Sequence, residues 1–149
     1  FDAVFIHDAI VYMTTESTLR EVLCTAAAHC REGGVLLVMP DHTAETFVET
    51  TGHGGVDGDD GRGARYLQWS YDPDGDDATY LTLFSVLLRH ADGQVESVDE
   101  QHTCGVFSRA TWLRLFDEAG FDGQILPFEH SEVPPGMCEM VVGRRKSEV

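Results

Sequence analysis

Phe1-Asp2-Ala3-Val4-Phe5-Ile6-His7-Asp8 decides how this chain is read. The run is apolar from Ala3 to Ile6, meets the polar pair His7-Asp8, and is followed at Thr14 and Thr15 by residues that start helices. A continuous apolar stretch that feeds a helix marks a buried parallel strand opening a βα unit. A parallel strand needs a neighbour, and a buried one needs cover on both faces. The opening therefore reads as the start of the second half of an α/β domain, with the first half expected upstream of Phe1.

The pattern continues outward from there. Leu19, Val22, Leu23, Ala26, Ala27 and Cys30 recur at helical spacing and give one core stripe. Arg31 and the pair Gly33-Gly34 end that helix, since a glycine accepts the left-handed turn that a helix stop requires. Val35 to Met39 form a second apolar strand, so strand, helix and strand make a right-handed βαβ crossover.

Residues 50–63, TTGHGGVDGDDGRG, are rich in Gly and Asp and are expected to form a long loop or lid. Ala64 to Tyr71, Ala78 to Arg89 and Val95 to Cys104 read as strands, separated by the turns Asp72–Asp77 and Ala91–Gln94. Together they predict a three-stranded antiparallel unit, residues 64–104, inserted in a single domain over residues 1–149. Both faces of Ala78 to Arg89 are mainly apolar, so that strand is expected to be covered on both sides. Ser108 then caps a second helix with the stripe Trp112, Leu115, Phe116 and Ala119, ended by Gly120. Gln124 to Phe128 and Met137 to Gly143 are the last two strands, joined by a loop with Pro134-Pro135.

Composition narrows the function. The 149 residues carry a formal net charge of -16, which repels nucleic acid phosphates and anionic membrane surfaces. No apolar stretch approaches the ~20 residues needed to cross a bilayer. The four cysteines, Cys24, Cys30, Cys104 and Cys138, form no CxxC pair and no finger-like spacing with histidine. Reduced thiols in a cytoplasmic protein, without a metal site, are expected.

FDAVFIHDAIVYM, a helix, REGGVLLVMPDH, an inserted sheet and SRATWLRLFDEAGF, in that order, resemble the C-terminal half of a class I S-adenosylmethionine-dependent methyltransferase. Phe-Asp-x-Val-x-x-x-Asp is similar to that family's fourth strand. Glu32-Gly33-Gly34-Val35 is similar to the start of its fifth, and Ala119-Gly120-Phe121 to the end of its last helix. Within the family the look is nearest to small-molecule N-methyltransferases of the amino-sugar and glycine types, which also carry an antiparallel insertion after the fifth strand. Pro40-Asp41-His42-x-x-Glu45-x-Phe47 resembles the amino-sugar enzymes there.

The resemblance implies a Rossmann-like sheet in which the last strand runs antiparallel between its neighbours. The order would be Asp2 to His7, Val35 to Met39, Met137 to Gly143, then Gln124 to Phe128. It also implies S-adenosyl-L-methionine as cofactor of the intact protein. The backbone of Ile6, His7, Asp8 and Ala9 would flank its methionine part, with Tyr12 alongside, because open α/β sheets bind ligands beyond the C-terminal strand ends. For His7 and Asp8 a plain role as a polar strand exit capping the next turn stays open. The family's Gly-rich loop and ribose-binding acid cannot be placed. Residues 51–63 neither follow an apolar strand nor open a helix, so they do not serve as that loop.

Methyl transfer to an amine is a displacement that needs alignment and a neutral nucleophile. Asp41 is placed to attract an ammonium and His42 to take its proton. Trp69, on one strand face with Leu67 and Tyr71, and His102 are candidate walls of the acceptor pocket, with core or interface packing as the other reading. The expected function is thus methyl transfer to a small molecule, an amine, by the intact protein, this chain alone being inactive. The alternative is a non-catalytic module kept for self-association or partner binding. A metal hydrolase built on His7, Asp8, Asp41 and His42 lacks HxH or HxxxH spacing. The uncovered apolar strands predict a homodimer.

Overall fold

The structure is a computed structural model and describes residues 1–129 and 136–147. In chain order it holds β1 (Ala3–His7), a short 3-10 helix (Ala9–Tyr12), α1 (Glu16–His29), β2 (Val35–Met39), β3 (Thr50–Asp57), β4 (Gly63–Tyr71), β5 (Thr79–Arg89), β6 (Val95–Gly105), α2 (Arg109–Glu118), β7 (Phe121–Pro127) and β8 (Glu139–Arg145). These fall into two compact units, Phe1–Phe47 with Gly105–Val149, and Val48–Cys104.

In the first unit the strands lie in the order β1-β2-β8-β7. β1 and β2 are parallel, and β8 runs antiparallel to both β2 and β7. This is the order that the resemblance implied. β7 begins at Phe121 rather than Gln124, and the Pro134-Pro135 loop lies outside the described residues.

The helix boundaries follow from local chemistry. Thr15 caps α1: its Oγ1 accepts the Thr18 N–H at 3.2 Å, while Thr18 Oγ1 accepts the Thr15 N–H at 3.3 Å. Here a threonine fills the place that Glu or Gln usually takes in such a reciprocal cap. Leu19, Leu23, Ala26 and Ala27 are buried, and Gly33 takes φ +71° just beyond the helix. Ser108 caps α2, whose Trp112, Leu115 and Phe116 are buried, and Gly120 ends it at φ +84°. Phe116 meets Phe121 of β7 at 5.9 Å between ring centroids. A Cβ on Gly143 of β8 would come within 2.6 Å of the Phe116 ring, so glycine there lets α2 seat on the sheet. Arg20 reaches Glu118 at 2.9 Å and Arg114 reaches Glu16 at 2.6 Å, tying α1 to α2.

The second unit corrects two expectations. Residues 50–63 are not a loop or lid. Thr50–Asp57 pair with β4 in antiparallel register from Thr50↔Ser70 to Asp57↔Gly63, and a short turn at residues 58–62 closes the hairpin with a 2.8 Å bond from Gly58 N–H to the Arg62 carbonyl. The inserted sheet is therefore four-stranded, β3-β4-β5-β6, and starts at Thr50. The glycines hid the strand because they carry no side chain to alternate. Their bareness has a use: the Tyr66 ring lies where a Cβ on Gly54 would be, 2.8 Å away. An aromatic laid over an edge glycine restores packing that the glycine lacks. Nor is β5 covered along both faces. Tyr80 and Thr82 are buried, but Leu87 is 48% exposed. The expected turn after β5 does form, with Gly93 at φ +85° and a 2.8 Å bond from His90 N–H to the Gln94 carbonyl. Among the described residues no helix is long and apolar enough to cross a membrane.

Candidate functional site

The parallel register pairs His7 with Met39, so β1 and β2 end level at the same sheet edge. At that edge Asp8 stands at φ 48°, ψ -64°, and among the described residues it is the one non-glycine with positive φ. Such a backbone costs on the order of 1–3 kcal/mol and persists only where its surroundings impose it. The surroundings here are the 3-10 helix. Val11 N–H bonds the Asp8 carbonyl at 3.0 Å, and buried Ile10 and Val11 pin the turn to the core. The Asp8 side chain makes no capping bond. It pairs instead with His7, Nδ1 to Oδ1 at 3.0 Å, and both remain substantially exposed. Phe5 stacks on the His7 ring at 5.8 Å. Ile6 is half-buried, while Ala9 and Tyr12 are exposed.

β2 delivers Asp41 and His42 beside this rim. Asp41 keeps much of its surface in solvent, yet the protein around its carboxyl removes enough water to raise its pKa above the ordinary carboxylate value. The Asp8 carboxylate adds to that rise, and His42 and His7 oppose it. Half-buried His42 is pushed the other way, below the ordinary imidazole value, chiefly by loss of water, with Asp41 opposing. Its ring meets Phe47 edge to face at 5.5 Å. The exits of β1 and β2 thus form one electrostatic cluster: a neutral imidazole, a carboxylate and the His7–Asp8 pair.

The chain just after His42 is firmly held. Thr43 is fully buried; its N–H donates to Thr46 Oγ1 at 2.9 Å, and its hydroxyl donates to Glu139 Oε2 at 2.9 Å. Glu139 is clamped by Arg109, Nη2 to Oε1 at 2.7 Å. Burial raises the Glu139 pKa, but the bonds from Arg109 and Thr43 outweigh it and hold the carboxyl below its ordinary value. Ala44 N–H reaches the Phe107 carbonyl at 3.0 Å. The sequence reading missed Thr43, Arg109 and Glu139, and quoted Glu45 without a role. Two of them carry a local signal, since Thr43-x-x-Thr46 has the spacing of a self-capping turn and Glu139 is an acid at the head of an apolar strand, but neither signal links one to the other or to Arg109.

Trp69 and His102 belong to the other unit. Trp69 is 49% exposed and stacks on Tyr71 at 4.4 Å. His102 contacts Phe84 edge to face at 5.6 Å, with its Nε2 3.3 Å from Glu100. Among the described residues no group of three or more His, Cys, Asp or Glu side chains is gathered as metal ligands, and the four cysteines are free thiols, with Cys24 exposed.

No protein-family model matches the chain, and no curated protein matches it. Solved structures do. The sugar N-methyltransferase KedS8 from a Streptoalloteichus species superposes with a TM-score of 0.82 at 23% identity, over 99% of this chain and 57% of its own. DesVI from Streptomyces venezuelae gives 0.82 at 21% identity, over 99% and 59%. CalS10, an amino pentose methyltransferase from Micromonospora echinaspora solved with S-adenosylmethionine bound, gives 0.81 at 21% identity, over 98% and 58%. The fold is that of part of a class I S-adenosylmethionine-dependent methyltransferase. The chain spans less than three fifths of the length of these three proteins.

The β1 rim offers half-buried Ile6 and exposed, turned backbone at Asp8 and Ala9. A Gly-rich loop between a strand and a helix is not among the described residues, and the Gly-rich stretch that does exist builds the β3–β4 hairpin.

Proposed function

We propose that this chain is the acceptor-side part of an S-adenosylmethionine-dependent N-methyltransferase acting on a small amine, with an amino sugar as the leading acceptor class. The observation that carries the reading is the cluster at the paired exits of β1 and β2, where half-buried His42, its pKa lowered by loss of water, follows Asp41. Open α/β sheets take their ligands at that edge, and the structural likeness is to sugar N-methyltransferases.

S-adenosylmethionine, when bound, supplies a methyl group on a sulfonium. Ile6, His7, Asp8, Ala9 and Tyr12 would hold its methionine end. Asp41 draws in the cationic acceptor. His42, uncharged at neutral pH, takes a proton from the ammonium and leaves a lone pair free for the displacement. Most of the acceleration comes from alignment, and the base supplies the rest. Trp69 and His102 are proposed walls of the acceptor pocket, and the protein is proposed to act as a homodimer.

The test is incubation of the full protein with S-adenosylmethionine and paired acceptors, amino sugars against their hydroxyl counterparts, with S-adenosylhomocysteine as readout. Transfer to the amine alone is expected. Absence of transfer to every amine would overturn the reading in favour of a non-catalytic module. The 149-residue chain by itself should show no micromolar binding of S-adenosylmethionine in calorimetry, since it offers only the rim.

A further inference from the structure

We propose that Glu139 of β8, with Thr43 and Arg109, is a positioning group that fixes the Asp41–His42 pair at the sheet edge, an inference that rests on the methyltransferase reading of that pair. The Glu139 side chain is only 13% exposed. Its two oxygens accept Arg109 Nε at 3.0 and 3.1 Å and Nη2 at 2.7 Å, and Oε2 also accepts the Thr43 hydroxyl at 2.9 Å. Arg109 is the first residue of α2, so a strand and a helix converge on one turn of chain.

That turn is the one that carries the base. Thr43 follows His42 directly and is bonded through its N–H, its hydroxyl and its carbonyl, the last accepting the N–H of both Thr46 and Phe47 at 3.0 Å. Phe47, at the far end of the turn, meets the His42 ring edge to face. The imidazole thus packs against a residue of the same folded segment that follows it, and that segment is held by Glu139. A half-buried carboxylate with charge-assisted bonds from a guanidinium is a stiff support. A displacement on a methyl carbon tolerates little misplacement of the groups around it. Glu139 touches neither acceptor nor cofactor in this scheme; it acts through the turn.

The experiment uses the full protein and two readouts, kinetics with an amine acceptor and the NMR titration of the His42 ring, assigned by comparison with His42→Gln. Thr43→Val and Glu139→Gln are expected to lower kcat about tenfold with a smaller change in KM. They should also move the His42 titration upward, because a loosened turn admits water to the imidazole. Thr43→Ser keeps the hydroxyl and should restore both. A merely stabilising network would lower the melting temperature and leave the titration of the folded protein unmoved. An unmoved His42 titration in both Thr43→Val and Glu139→Gln overturns the positioning role whatever the activity. The titration needs no substrate, so a shifted titration in a protein with no methyl transfer would uphold the clamp while refuting the functional reading.

Discussion

Both carboxylate oxygens of Glu45 accept the backbone N–H of Arg109, at 3.1 and 3.0 Å. The bond ties the segment after β2 to the first turn of α2, across 64 positions of sequence. A helix N-terminus carries unsatisfied donors and partial positive charge, so a carboxylate there does two jobs. Glu45→Ala should therefore destabilise the protein by about 1–2 kcal/mol in urea unfolding, and Glu45→Gln by less, since an amide oxygen still accepts the bond. Equal stability of Glu45→Ala and the parent would show that water replaces the carboxylate at no cost.

Asp8 sets stability against function. Replacing it with glycine removes the strain of a positive φ, worth on the order of 1–3 kcal/mol, against an entropic cost of about 0.5–1 kcal/mol for the freer unfolded chain. Asp8→Gly should raise the melting temperature, while Asp8→Ala should not, because alanine gains nothing at φ 48°. If the rim holds the cofactor, Asp8→Gly should also weaken S-adenosylmethionine binding by the full protein. A variant no more stable than the parent would mean that the His7–Asp8 pair offsets the strain.

Much of the first unit was legible in the sequence, because its signals are local. Thr15 and Ser108 cap where expected, the stripes of α1 and α2 are buried save half-buried Val22, and the paired ends of β1 and β2 follow from two apolar runs with a helix between them. The second unit was less legible. β3 has the composition of a loop and becomes a strand through its partner, β4, which supplies both the hydrogen-bond ladder and the Tyr66 ring. At the site, Asp41 and His42 could be named from their position after an apolar strand. Their support could not. Glu139 lies 96 positions from Thr43, and nothing local in either residue points to the other.

The two titrating groups give opposite pH dependences. The folded pKa of Asp41 is raised, so the native state holds its proton more tightly than the unfolded chain does. Stability from this group is gained as pH falls through the folded pKa and is absent at neutral pH. Asp41→Asn should then raise the melting temperature at pH 7 and change it little in acid. His42 is lowered, so the unfolded chain takes up the proton first and stability falls as pH drops below the ordinary imidazole range near 6.5. His42→Gln should flatten that fall. Melting temperatures from pH 4 to 8 for both variants decide the matter, and parallel curves for parent and variants would refute it.

Among the described residues β1 is an edge strand of its sheet, with Phe1 82% and Phe5 61% exposed. Beside it a groove of about 850 Å³ between β1 and α1 is lined by Val4, Ile6, Met13, Val22 and Ala26. An unpaired edge next to apolar surface pairs readily with another chain. The 149-residue chain should therefore run as a dimer in light scattering at high concentration, and Phe5→Lys should shift it toward monomer, since an edge charge blunts pairing. A clean monomer of the parent chain would count against this.

The chemistry proposed for the β2 exit separates the roles of its two residues. His42→Ala in the full protein should lower methyl transfer about 10- to 100-fold with little change in cofactor affinity, because a base contributes only in the displacement itself. The proposed cofactor rim, Ile6 to Ala9, is a different stretch of chain, so its contacts should survive the change. Asp41 is proposed to act earlier, on a cationic acceptor already in the ground state. Its removal in Asp41→Asn should appear mainly as a higher KM, with kcat nearly kept. That split is the diagnostic. If Asp41→Asn instead lowers kcat and leaves KM alone, Asp41 serves the displacement rather than acceptor capture. If neither variant changes either constant, the acceptor is held elsewhere, and the exposed Trp69 and the Glu100-paired His102 of the antiparallel sheet become the residues to replace next.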